Sequence, residues 1–194
     1  MRQSWIVLGM MLVAAGTARG QVPEQKPLKT LQTDAARAPL APNAVAPSDV
    51  VDVTPGDRAP DFQLDSSLGG TVRRADLLGH WSVLVFDESR ARLGGVGAVG
   101  DSLRDLGVRP YGVCRDGVGA LRTYCEREHV AFPLLSDPTG QISQLFGMYD
   151  GGRQAVRSGL VIVDARGMIR MVIQGPALDA DDVLRMVRHT TLGG

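Results

Sequence analysis

The sequence predicts an α/β domain with a central mixed sheet flanked by helices. Three observations predict it. Ser82–Phe86 and Gly159–Asp164 are short, nearly continuous apolar runs, as expected of strands buried on both faces. Val118–His129 and Ala180–His189 instead space their apolar residues by three and four, the period of a helix with one buried face. Between them, Val130–Tyr149 reads as strand, tight turn, short helix.

Composition narrows the function classes. The 194 residues carry 21 basic and 21 acidic side chains, so no electrostatic case exists for nucleic acid or an anionic membrane. Aromatic residues make up 5%, too few for a platform that stacks bases or sugars.

The N-terminus sets an expected compartment. Arg2 precedes the apolar run Trp5–Ala15, and Ala18-Arg19-Gly20 fits a small-x-small cleavage site, so residues 1–20 read as a signal peptide. The run is short for a bilayer span, and no cysteine follows it to carry a lipid. The expected mature chain starts at Gln21, carries no stable membrane span and is periplasmic or secreted. Losing Arg2 and Arg19 takes the charge from 0 to near −2. Residues 21–50, rich in Pro and Ala without a sustained period, read as a disordered tether.

The folded domain is expected over 51–190. Phe62 and Leu64 alternate inward on an extended segment, and Leu68–Val72 turns a hairpin on Gly69 and Gly70. Arg74–Gly79 is a helical turn stopped by glycine. Strand 82–86 leads into a glycine-rich turn, Gly94-Gly95-Val96-Gly97, and then a helix ending at Gly107. Val108–Val113 is a second buried strand, and the following helix stacks Leu121 on Cys125. Ser136-Asp137-Pro138-Thr139-Gly140 is turn chemistry that caps the helix containing Ile142, Leu145 and Phe146. After strand 159–164, Ala165-Arg166-Gly167 turns into a return strand over 168–174. Asp179 caps the last helix, with Val183, Leu184 and Val187 inward. Trp81 and Tyr111 belong to the core.

FPLLSDPTG at Phe132–Gly140, followed by a short helix ending at Phe146-Gly147, resembles the peroxiredoxins of the alkyl hydroperoxide reductase C and thiol-specific antioxidant family. Pro55–Leu64, with its GDRAPDFQL, and Ala75-Asp76-Leu77 before Gly79-His80 resemble the entrance of a peroxiredoxin or of an exported thioredoxin of the cytochrome-maturation type, and the resemblance covers Val53–His189. It implies a thioredoxin-like fold and antioxidant or oxidoreductase descent. The family's reactive cysteine follows the first central strand in the pattern P-x-x-x-T-x-x-C, where helix-terminal N–H groups and an arginine favour thiolate. Here Asp87–Gly97 reads DESRARLGGVG, with no cysteine, proline or threonine, and Gly95 falls where the thiolate is expected. The segment is also shorter than the family's.

The resemblance places Arg157 as the family's arginine before the third strand, and Cys125 on the helix where some members carry a resolving cysteine. Arg157 is expected to bind an anion or to form a surface ion pair, the commoner fate of an arginine. Cys114 ends the second strand beside Arg115 and is the other candidate thiol. Closing a Cys114–Cys125 bridge would stabilise by about 2–3 kcal/mol. A helix lying about 10 Å above the sheet argues against it.

His80, His129 and His189 are dispersed without ligand spacing, and no cofactor is indicated. Gly94–Gly97 lacks the lysine of a phosphate loop. The expected protein is therefore an exported binding module with the peroxidase chemistry lost, with an unnamed protein partner or reductant and a possible homodimer. The competing expectation is a residual thiol peroxidase or disulfide oxidoreductase using Cys114 or Cys125.

Overall fold

The computed structural model describes residues 53–175 and 177–193. The expected signal segment and tether lie outside the described residues. Nine strands and five α-helices follow in chain order. They are β1 (Gln63–Ser66), β2 (Thr71–Arg73), β3 (Trp81–Phe86), α1 (Arg90–Val96), α2 (Gly100–Asp105), β4 (Val108–Cys114), α3 (Val118–Glu128), β5 (Leu134–Ser136), α4 (Gln141–Leu145), β6 (Tyr149–Asp150), β7 (Ala155–Val156), β8 (Gly159–Val163), β9 (Ile169–Gln174) and α5 (Ala180–Leu192).

Seven strands form one mixed sheet in the order β2-β1-β5-β4-β3-β8-β9, and β6 pairs with β7 in a separate hairpin. β3, β4 and β5 run parallel, with Val85 opposite Gly112 and Val113 opposite Leu135. β8 lies antiparallel to β3 and turns back through Gly167 into β9.

The strand period of two sorts the core. Val83 and Val85 face one side with Leu93 of α1, Leu103 of α2, Leu121 of α3 and Val183 of α5. Leu84 and Phe86 face the other with Phe62, Ile142 and Phe146, where Phe146 packs edge-on to Phe62 at 5.8 Å. Both faces are covered, which is why β8 and the Val83–Phe86 part of β3 read as unbroken apolar runs.

One expected turn is a helix. Gly94–Gly97 belongs to α1 and the short 3-10 turn after it, because Leu93 and Val96 are both buried at helical spacing. Gly94 leaves room for the Tyr124 hydroxyl of α3, which would lie 2.3 Å from a Cβ built there. Gly94 thus serves close helix packing rather than a flexible loop. Among the described residues no helix is long and apolar enough to cross a membrane.

Candidate functional site

The carboxyl ends of β3 and β4 and the start of β8 converge at one edge of the sheet, where α/β folds place their chemistry. Asp87 follows β3 directly and is 3% exposed. A carboxylate so buried needs donors, and it has three. The Ser89 N–H donates at 2.7 Å, the Ser158 hydroxyl at 2.6 Å, and Arg92 Nε lies 2.9 and 3.0 Å from the two oxygens. Arg92 reaches back from the first turn of α1, so the ion pair closes the loop between β3 and that helix.

Glu88, next in the chain, turns toward the β6–β7 hairpin and accepts the Val156 N–H at 2.8 Å. Arg115, at the end of β4, donates to the Gln154 carbonyl and lies 4.0 Å from Glu88. Arg90 bridges to Asp116 at 3.1 Å and sits 5.6 Å over the Tyr124 ring. The ring of charges around the helix entrance is therefore largely self-paired.

The thiols lie elsewhere. Cys114 closes β4 and is fully buried among the apolar side chains beneath α3. Burial pushes its thiol up to about 12, with the Asp116 and Glu88 carboxylates adding to the rise against a hydrogen bond from the Asp116 N–H and the Arg90 charge. Arg115, the sequence neighbour expected to favour thiolate, spends its guanidinium on Gln154 and Glu88. Cys125 is 4% exposed on α3, with its Sγ 3.4 Å from the Ser67 hydroxyl. It borders a shallow groove with Arg122, Glu126 and Leu68. Both thiols are free.

Arg157 precedes β8 as expected, with its backbone N–H donating to the Met148 carbonyl at 2.9 Å. Its half-exposed guanidinium lies 3.8 Å from Asp150. Arg157 borders an open cleft of about 430 Å³ with Arg153, Ser158 and Gln174, and no residue of α1 lines it. Gly95, at the position counted for the reactive cysteine, is exposed on α1 with nothing within 4 Å of a Cβ built there. The structure thus brings none of Cys114, Cys125 and Arg157 into one reacting group. Among the described residues no cluster of His, Cys, Asp and Glu could hold a metal ion.

Asp87 and Ser158 are the residues that sequence reasoning passed over. The available signal was an acid at the point where a buried strand leaves the sheet, a place where burial and a partner are both expected.

Residues 55–172 match the AhpC/TSA family. A peroxiredoxin of Thermococcus kodakarensis is 32% identical over 97 residues, 45% of each chain. The selenocysteine-containing peroxiredoxin PrxU of Peptoclostridium acidaminophilum is 30% identical over 134 residues, 61% of this chain and 66% of that one. The chain thus matches about half to two-thirds of the length of these curated relatives. Among solved structures, Enterococcus faecalis AhpC superposes with a TM-score of 0.64 at 23% identity, covering 71% of this chain and 92% of that one. Peroxidoxin BcpB of Mycobacterium tuberculosis gives 0.63 at 21%, covering 72% and 96%.

Proposed function

The chain belongs to the AhpC/TSA family and has its thioredoxin-like α/β fold, and from that premise we propose that it no longer performs thiol peroxidase chemistry and works as an exported binding module. One observation carries the reading: the helix entrance after β3 holds a buried carboxylate tied to Arg92, Ser89 and Ser158, and no sulfur. A carboxylate so held cannot take the electrophilic oxygen of a peroxide as a thiolate does. Of the two remaining thiols, Cys114 offers no replacement. Cys114 is buried with its thiol pushed up to about 12, and reactivity follows the thiolate.

The rival, a residual thiol oxidoreductase, rests on Cys125 bordering the Arg122–Glu126 groove. Steady-state peroxide consumption with excess dithiol separates the two. Wild type, Cys114→Ser and Cys125→Ser are expected to match a protein-free control. Turnover lost in one variant would establish the rival and name its nucleophile.

Export is the second part of the proposal and rests on residues 1–20. N-terminal sequencing of protein recovered from a host that secretes it is expected to begin at Gln21. An intact Met1 terminus would contradict export by cleavage.

A further inference from the structure

We propose that the cleft beside the β6–β7 hairpin binds a carboxylate bearing a hydrogen-bond donor on the adjacent group, the chemistry shared by a peptide C-terminus and an α-hydroxy acid. The inference rests on the binding-module reading and supplies its ligand class.

The cleft holds about 430 Å³, within the roughly 300–1,000 Å³ range of small-ligand sites. Arg153 and Arg157 rise from the hairpin and the turn that follows it, and both guanidiniums act on Asp150. Arg157 approaches Asp150 only to 3.8 Å, longer than a charge-assisted hydrogen bond. Among the described residues Arg153 has no acidic side chain within ion-pair distance. Two cations against one carboxylate leave a single positive charge, which suits a monoanion. A phosphate dianion would be over-charged beside Asp150.

The neutral lining selects further. Ser158 gives its only proton to the buried Asp87 at 2.6 Å, so its hydroxyl can offer the cleft only lone pairs. Gln174 gives one N–H to the Gly147 carbonyl at 3.1 Å, leaving its own carbonyl oxygen as an acceptor beside a second N–H. The site therefore presents cations beside acceptors. A plain carboxylate satisfies the cations alone. A carboxylate with an N–H or O–H on its α-carbon satisfies both, which is the geometry of the last residue of a peptide or of a hydroxy acid.

The test is titration of the purified full-length protein at low ionic strength, followed by amide chemical shifts. The probes are N-acetyl-alanyl-alanine, its C-terminal amide, lactate and propionate. At least one of the free-acid dipeptide and lactate is expected to bind with a dissociation constant of about 1 mM or tighter. The amide and propionate are expected to bind at least about tenfold more weakly, and Arg153→Gln or Arg157→Gln to weaken the acid by a similar factor. Arg188→Gln, on the exposed side of α5, should leave binding unchanged. Preference for the dipeptide identifies a protein terminus as the source, and preference for lactate a small metabolite. No shift with either acid, equal binding of the amide, or wild-type affinity in both arginine variants would overturn the proposal. Peroxide turnover would sink the module reading without touching this titration. A failed titration without turnover would remove only the ligand class.

Discussion

At the scale of single residues, the chemistry of this chain is decided by where its titratable groups are buried. Cys114, with its thiol pushed up to about 12, keeps about one part in 10⁴ as thiolate at mildly alkaline pH. Alkylation of the native protein at Cys114 should therefore be slow and rise about tenfold per pH unit through the mildly alkaline range, while the denatured chain reacts at the rate of an ordinary thiol. A plateau near neutral pH in the native state would show a thiolate that the fold does not provide. Asp164 behaves in the opposite sense. Burial raises its carboxyl, but the Met168 and Arg166 N–H groups and the Arg170 guanidinium outweigh that and hold it below the usual carboxylate range. Its contribution is thus present above the unfolded carboxylate range and lost as pH falls through its folded value. Asp164→Asn should lower stability at neutral pH by about 1–3 kcal/mol and flatten the acid limb of a denaturation profile. An unchanged acid limb would show that the β8–β9 turn does not depend on this charge. The same scale shows why Asp87 escaped the sequence. Its burial depends on Ser158, 71 residues away, and local reading sees only a charged residue after a strand.

At the scale of elements, most of the chain was legible because each segment keeps one period. β8 and the Val83–Phe86 part of β3 are unbroken apolar runs since both faces are covered, and α3 and α5 carry their apolar stripes. The turn before α4 was readable from chemistry alone. Asp137 accepts the Ser143 N–H at 2.7 Å and the Ser143 hydroxyl at 2.8 Å, so the SDPTG run does cap the helix. Two elements were not legible. The glycines of α1 imitate a loop, and only the burial of Leu93 and Val96 against the sheet reveals a helix. The β6–β7 hairpin has two-residue strands, too short for alternation to show, and is fixed by Glu88 and Arg115 from distant parts of the chain. The antiparallel pairing of β8 with β9 leaves no room for a side chain at Gly159. A Cβ at Gly159 would lie 2.3 Å from the Ile173 carbonyl oxygen and 2.8 Å from the Met148 sulfur. Gly159→Ala must shift backbone, and should cost about 1–3 kcal/mol in chemical denaturation, which a wild-type midpoint would contradict.

At the scale of the whole molecule, the proposed reading separates the fold, which is the family's, from the reactive chemistry, which is lost. The AhpC/TSA resemblance read from FPLLSDPTG and GDRAPDFQL holds over residues 55–172. The packing that makes the fold is spread over two apolar faces and survives the loss of any one polar residue. The chemistry, by contrast, needs a sulfur at one helix entrance, and there Asp87, Arg92 and Ser158 satisfy one another instead. On the proposed reading, the self-paired entrance and the open cleft beside it serve recognition in place of a nucleophile. The measurement that tests this most directly is the intact mass of the protein after exposure to a modest excess of hydrogen peroxide, with the thiols then counted in denaturant. The account predicts an unchanged mass and two free thiols, Cys114 and Cys125. Rapid loss of either thiol to a sulfenic acid or a disulfide would contradict it and return the chain to the peroxidases.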